Sequence, residues 1–183
     1  MRSLEELAPE INRHVRSILD FPKQGINFRD IMPLFANPKL IKELCIATAE
    51  HIRKDVGKID AIVGLEARGF LFGPIVAMFL EVAFVPIRKN GKLPGQCLQA
   101  SYVKEYGEDI VEMQQDALKP ESKVVIIDDL LATGGTLKAA VDVVEKAHAE
   151  VAEAFVLIEL LPLHGRERNS KIPVTSVLKF NEA

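Results

Sequence analysis

The sequence is short of the features that mark most specialised protein classes. It holds two cysteines, Cys45 and Cys97, in 183 residues. Their spacing fits no zinc pattern, and two isolated thiols read as reduced side chains rather than a disulfide framework. No apolar run approaches the ~20 residues needed to cross a bilayer; stretches such as 75–80 and 154–158 are far too short. The charged start Met1-Arg2-Ser3-Leu4-Glu5-Glu6 has no apolar run behind it, so no secretory signal is expected, and the predicted location is cytoplasmic with no membrane partner. Positive charge is also scarce. Lys and Arg number 23 against 26 Asp and Glu, a net charge of -3, which leaves no basic footprint for nucleic acid. Internal repeats, low-complexity tracts and linker-like segments are missing. The composition, 48% hydrophobic and 27% charged, is that of a globular chain, and its length predicts a single domain over 1–183.

What the chain does hold is an alternation of helical and strand-like periods. Residues 4–17 predict a helix with Leu7, Ile11, Val15 and Ile18 on one face. Residues 21–29, which include Pro22 and Gly25, predict loop with a short extended piece. A second helix is predicted over 39–54, capped by Asn37 with Pro38 in its first position. Short apolar, β-branched runs predict strands at 59–64, 82–87, 124–127, 154–159 and 174–178, with helices over 69–79 and 135–148. The polar stretch 91–107 carries Pro94, Gly95, Ser101 and two tyrosines and reads as a long loop or loose hairpin, a length that is usually functional in a compact chain. This order implies an α/β fold with a mainly parallel central sheet flanked by helices. Ligands of such sheets sit at the carboxyl ends of the strands, and three polar clusters fall there.

The most informative cluster is Asp128-Asp129-Leu130-Leu131-Ala132-Thr133-Gly134-Gly135-Thr136, directly after the apolar Val124-Val125-Ile126-Ile127. Its glycines let backbone N–H groups approach a phosphate, its threonine hydroxyls add donors, and the helix that follows adds partial positive charge. Two carboxylates suit hydroxyl groups or a hydrated magnesium ion. Vicinal hydroxyls near a phosphate describe a ribose phosphate. A plain strand–turn–helix, with Thr133 as its cap, is the bland alternative. No Gly-Lys-Ser/Thr follows, which disfavours an ATP loop, and the Gly-x-Gly-x-x-Gly spacing of dinucleotide folds is absent.

The other two clusters are cationic. Gly64-Leu65-Glu66-Ala67-Arg68-Gly69 places a glycine-flanked arginine at a strand end, where N–H groups and a guanidinium can meet a polyphosphate. Ile87-Arg88-Lys89-Asn90-Gly91-Lys92 gathers three cations near a glycine. Taken singly, each of these charges could as well be solvated.

Together the clusters resemble the adenine-specific branch of the type I phosphoribosyltransferase family. The similarity is carried by the acidic pair with its Thr-Gly-Gly-Thr turn, by Glu66-Ala67-Arg68-Gly69-Phe70-Leu71-Phe72-Gly73-Pro74, by Ser101-Tyr102-Val103-Lys104-Glu105-Tyr106-Gly107, and by Phe21-Pro22-Lys23-Gln24-Gly25-Ile26-Asn27-Phe28-Arg29-Asp30-Ile31. The resemblance implies transfer of adenine to the ribose 5-phosphate of PRPP, giving AMP and pyrophosphate. It implies that Asp128 and Asp129 hold the ribose hydroxyls and that Ala132, Thr133, Gly134, Gly135 and Thr136 hold the 5-phosphate. Glu66, Ala67 and Arg68 would form the pyrophosphate loop, which in relatives often holds a strained peptide bond, and Arg88, Lys89 and Lys92 would neutralise the leaving group. A small N-terminal hood, about 1–35, would bring Phe28 onto the purine, with backbone groups near Asn27 and Arg29 reading its edge and Leu130 packing its other face. A flexible flap, about 91–107, would bring Glu105 to N7 of adenine, braced by Tyr106. Glu105 and Arg68 are the implied catalytic residues. Magnesium is the implied cofactor, held mainly through PRPP with no direct protein ligand, and a homodimer is implied as the assembly. Lys138 follows the turn where enzymes for oxopurines favour a lysine, but helical geometry points it to solvent. Transfer to another purine, or a regulatory protein sensing PRPP or a nucleotide on the same fold, are the rival readings.

Overall fold

The computed structural model describes residues 2–103 and 107–182. Helix α1 (Leu4–His14) opens with a capping box: the Ser3 hydroxyl accepts from the Glu6 N–H at 3.2 Å, and the Glu6 carboxylate accepts from the Ser3 N–H at 2.7 Å. The helix buries Leu7 and Ile11, as their spacing predicts. It does not continue to residue 17. Val15 is extended (φ −84°, ψ 123°), and Arg16–Leu19 forms strand β1, antiparallel to β2 (Asn27–Asp30). The reason is cross-strand pairing. Arg16 lies opposite Asp30 and makes an ion pair of 2.5 Å with it, while β-branched Val15 and Ile18 are at home in extended chain.

A short helix α2 (Met32–Phe35) leads to α3 (Pro38–His51). Here Asn37 caps as predicted, its side-chain oxygen accepting from the Leu40 N–H at 3.2 Å. The helix runs on through a π-helical turn at Ile52–Val56. Then follow β3 (Ala61–Leu65), α4 (Gly69–Leu80), β4 (Ala83–Lys89), β5 (Cys97–Val103), β6 (Glu108–Gln114), β7 (Lys123–Leu131), α5 (Gly135–Lys146) and β8 (Glu150–Leu160). A 3-10 turn (Leu161–Leu163), α6 (Gly165–Arg168) and β9 (Val174–Phe180) close the described chain.

Seven strands form one sheet in the order β5-β6-β4-β3-β7-β8-β9. The five from β4 to β9 pair in parallel, and the β5–β6 hairpin adds antiparallel to β4. The fold is therefore α/β with a mainly parallel sheet, as the sequence implies. The stretch read as loop or loose hairpin is a hairpin over much of its length, in register from Cys97 opposite Gln114 to Val103 opposite Glu108. Glu105 and Tyr106 lie outside the described residues.

Side chains alternate between two cores, as the pleat requires. Ile62, Val125, Ile127 and Phe155 pack under α1, α2, α3 and α4. Ala61, Val63, Val124, Ile126 and Val156 pack under α5 and the hairpin. Both cysteines are free thiols. Cys45 is buried, and burial pushes its thiol up to about 12.

Strand order places the ligand end. From β3 the chain moves outward to β4, whereas from β7 it moves the other way to β8 and β9. The switch point therefore lies between β3 and β7, where open α/β sheets bind ligands. There β3 pairs with β7 only as far as Gly64 opposite Ile127, while β7 stays paired with β8 through Leu131 opposite Glu159. Asp128 and Asp129 thus sit in a strand that is laddered on one side only.

Candidate active site

The end of β7 supplies the acids. Asp129 is buried and Asp128 half-buried, and Asp128 Oδ1 accepts from the Asp129 N–H at 2.8 Å. Burial pushes both carboxyls above the ordinary aspartate range. The neighbouring Asp129 charge adds to the effect on Asp128, and the Arg68 guanidinium opposes it on Asp129. Arg68 Nε lies 2.9 Å from Asp129 Oδ2. The same guanidinium stands 5.0 Å from the centre of the Phe28 ring, within cation–π range. One arginine thus joins the acidic pair to the aromatic of the β1–β2 hairpin.

The turn after β7 is shaped by close contacts. Gly134 has φ +77°, and a Cβ there would lie 2.5 Å from both Gly165 O and Asn169 Nδ2, so only glycine fits. Helix α5 starts at Gly135 without a side-chain cap. Thr133 is exposed and does not cap the helix. The first N–H groups of α5 carry the partial positive charge of an uncapped helix start. Across the sheet, α4 begins at Gly69, where a Cβ would lie 2.6 Å from Ile127 O. Its first turn is seated directly on β7 beside the acids.

Between β3 and α4, the Glu66–Ala67 peptide bond is cis. The Glu66 carboxylate takes a forked pair from Arg88, Nε at 3.2 Å and Nη2 at 3.0 Å, and a third bond from the Lys89 N–H at 3.0 Å. The Arg88 bonds chiefly hold the carboxyl of Glu66 below its usual range, against the effect of burial. Lys89 Nζ lies 4.0 Å from Asp109. Glu66, Ala67, Arg68, Arg88 and Lys89 line one cleft with Asp128, Asp129, Leu130 and the turn 132–136.

Other predicted residues lie outside that cleft's lining. Lys92 is exposed, and its N–H is held by Glu112 at 2.9 Å. Phe28 reaches the site through Arg68, and Phe21 packs edge-on to it with ring centres 5.1 Å apart. The Arg29 side chain turns away. It donates to Ser17, stands 4.3 Å from the Phe180 ring centre, and lies 3.6 Å from Glu182. Asn27 Oδ1 is buried without a hydrogen-bond partner among the described residues. Lys138 is paired with Asp142 one turn along α5. Among the described residues, no group of three or more His, Cys, Asp or Glu could hold a metal ion.

Comparison with known proteins agrees with this geometry. A family model described as the phosphoribosyl transferase domain matches residues 33–182. The adenine phosphoribosyltransferase of Caenorhabditis elegans is 59% identical over 179 residues, covering 98% of this chain and 97% of the relative. The chain belongs to the adenine phosphoribosyltransferase family. Among solved members of that family, the Saccharomyces cerevisiae enzyme, complexed with a dideoxy-imino-altritol bisphosphate and adenine, superposes with a TM-score of 0.91 at 45% identity, over 94% of this chain and 98% of that one. The Trypanosoma brucei enzyme, in complex with AMP, pyrophosphate and ribose-5-phosphate, gives 0.87 at 27% identity, over 94% and 79%.

Two features of this adenine phosphoribosyltransferase family member were not singled out in the sequence. The Tyr102 ring packs over Gly135, where a Cβ would lie 3.0 Å from Cδ2, and its hydroxyl donates to Asp109 at 3.2 Å. Arg168 Nη1 would lie 3.2 Å from the same Cβ. Tyr102 sits in a recognisable motif, so a signal existed. Arg168 lies in the C-terminal stretch, where nothing in spacing or composition links it to a turn more than thirty residues earlier.

Proposed function

We propose that this protein joins adenine to PRPP, forming AMP and releasing pyrophosphate, as a purine-salvage enzyme. The observation that carries this reading is the grouping of Asp128 and Asp129 with an uncapped helix start on one side and Arg68 stacked on Phe28 on the other. An acidic pair beside an anion-binding turn fits a ribose 5-phosphate. An aromatic beyond it fits a flat base.

In this reading the turn 132–136 takes the 5-phosphate through backbone N–H groups and the threonine hydroxyls. Asp128 and Asp129 fix the ribose hydroxyls while positive charge develops at the anomeric carbon. Ala67 offers its backbone to the departing pyrophosphate, Arg68 its guanidinium, and Lys89 and Lys92 long-range positive charge. Glu66 acts on the same group through Arg88, which it orients. Phe28 stacks on adenine, Leu130 packs against the other face, and backbone groups at Asn27 and Arg29 read the base edge, since the Arg29 side chain is engaged elsewhere. Adenine N9 bonds to the anomeric carbon from the face opposite pyrophosphate, whose bond breaks with its electron pair. Glu105 takes the N7 proton, and Tyr106 braces the flap. Positioning and preorganised charge supply the acceleration, with no covalent enzyme intermediate.

The carboxylate oxygens of Asp128 and Asp129 are hard donors suited to a hydrated magnesium ion. A magnesium ion bound largely through PRPP would offset the negative charge of the pyrophosphate. A homodimer is the assembly this reading carries. No described helix is long and apolar enough to cross a membrane; a cytoplasmic location belongs to this reading. The domain is read as one unit, with residues about 1–35 as the hood and about 91–107 as the flap.

The test is AMP formation from adenine, PRPP and magnesium, repeated with hypoxanthine, guanine and xanthine and with Glu105→Ala. Adenine should be strongly preferred, and the variant should lose ~100-fold or more in kcat. Binding of PRPP without turnover on any base would overturn the enzyme reading in favour of a sensor.

A further inference from the structure

The polar groups that face the phosphate turn from behind come from the C-terminal stretch, which the reaction scheme does not use. After β8 the chain passes the 3-10 turn and lays α6 against residues 132–134. The approach is close: a Cβ on Gly165 would lie 2.3 Å from Ala132 O and 2.8 Å from Leu131 Cδ1. Asn169, 3% exposed, follows α6. Its Nδ2 donates to Gly134 O at 3.0 Å and to Gly165 O at 2.9 Å. The two hydrogens of one amide thereby tie the turn to α6.

We propose that Asn169 is a positioning residue for 5-phosphate binding, holding the Gly134–Gly135 peptide so that its N–H faces the ligand. The proposal rests on the reading of the turn as the phosphate subsite. The physical case begins with the peptide plane. In a trans peptide the carbonyl and the following N–H point in opposite directions. Gly134 O accepts from the Lys138 N–H at 3.0 Å and from Asn169. Both bonds draw the carbonyl inward, which turns the Gly135 N–H outward at the start of α5. Glycines on either side of that peptide leave it otherwise free to rotate. With no side-chain cap at the helix start, Asn169 is the side chain that joins the Lys138 N–H in restraining the peptide.

The support behind Asn169 is itself anchored. Arg166 grips the buried Glu159 carboxylate with a fork, Nε at 2.5 Å and Nη2 at 2.7 Å, and also donates to Ser176 Oγ at 3.1 Å. Ser176 donates to Glu159 at 2.6 Å. Helix α6 is thus fastened to β8 and β9, and Asn169 transmits that rigidity to the turn. Asn169 Oδ1 has no hydrogen-bond partner among the described residues, so the amide is present for what it donates.

The test uses the full chain with Asn169→Leu, which keeps the branched outline of the side chain and removes both donors, and Asn169→Asp, whose carboxylate would face two carbonyl oxygens. Ribose 5-phosphate binding is measured by calorimetry, KM for PRPP and for adenine by initial rates, and thermal midpoint by fluorescence with an external dye. Both variants should weaken ribose 5-phosphate and raise KM for PRPP by ~10-fold or more, with KM for adenine unchanged although the midpoint falls as buried carbonyls lose their partners. Wild-type values for PRPP and ribose 5-phosphate in either variant overturn the proposal. So does a uniform loss in which adenine, PRPP and the midpoint all move together. If Asn169→Leu does not fold, Asn169→Ser decides by the same measurements, because it keeps one donor in a smaller side chain and should fall between wild type and Asn169→Asp. Failure of the wild-type protein to make AMP would instead strike the functional reading, and ribose 5-phosphate binding separates the two.

Discussion

Arg68 and Asp129 form an ion pair of 2.9 Å at the switch point of the sheet. Because the same guanidinium stands over the Phe28 ring, a single cation balances a buried acid and touches the aromatic of the β1–β2 hairpin. Arg68→Lys keeps the charge but loses the planar fork and the stack. It should lower kcat by ~100-fold while shifting the thermal midpoint little, measured by initial rates of AMP formation and by calorimetry. Arg68 is the largest of the influences that oppose the burial lifting the Asp129 carboxyl, so with a neutral glutamine in its place the acidic limb of the rate profile should move to higher pH.

Gly69→Ala tests the seat of α4 on β7. The added methyl would meet Ile127 O at 2.6 Å, and the backbone oxygen cannot move without disturbing Asp128. Overpacking of this kind costs about 1–3 kcal/mol. The variant should unfold at lower urea concentration and lose activity together, because the helix carries Arg68 at its head.

Glu112 is 3% exposed, and it accepts from the N–H groups of Lys92 and Leu93 and from the Gln99 amide. Burial alone would raise its carboxyl, but the N–H groups of Leu93, Gly91 and Lys92 outweigh it and hold the carboxyl below the ordinary value. A depressed carboxyl stabilises above the unfolded pKa of about 4.3, and that contribution is lost as pH falls through the folded value. Glu112→Gln should cost ~1 kcal/mol or more at neutral pH and much less at pH 3, read from urea unfolding at both pH values.

His51 stands between Glu153 at 2.8 Å and Asp55 at 2.9 Å. The Glu153 bond, more than any other influence, raises its pKa. A raised histidine stabilises fully below its unfolded pKa of about 6.5 and loses that contribution as pH rises through the folded value. His51→Gln should therefore cost about 1 kcal/mol near pH 6 and little near pH 9, which thermal melts across that range would show.

The sheet was legible in the sequence because parallel strands buried on both faces leave unbroken apolar runs, as at Val124-Val125-Ile126-Ile127. The acids were legible because two adjacent carboxylates are costly at the end of such a run and so imply a ligand. The β1 strand was missed because Val15 and Ile18 fit a helical face as well as a strand. Only the long-range partner Asp30, opposite Arg16, decides between them. The hairpin at Cys97–Val103 was half-seen, since its polar surface carries no burial pattern. Asn169 was invisible because its meaning comes from Gly134, thirty-five residues away in the chain.

The unequal lengths of the two ladders beside β7 carry a dynamic consequence. On the β8 side, pairing continues past both acids to Leu131, so their main chain is stitched into the sheet rather than hung on a loop. Amide exchange at Val156, opposite Asp128, and at Ile158, opposite Leu130, should then report on opening of the whole sheet, while the glycine turn exchanges through small local fluctuations. Warming or mild denaturant would slacken the turn 132–136 well before it disturbed the two acids.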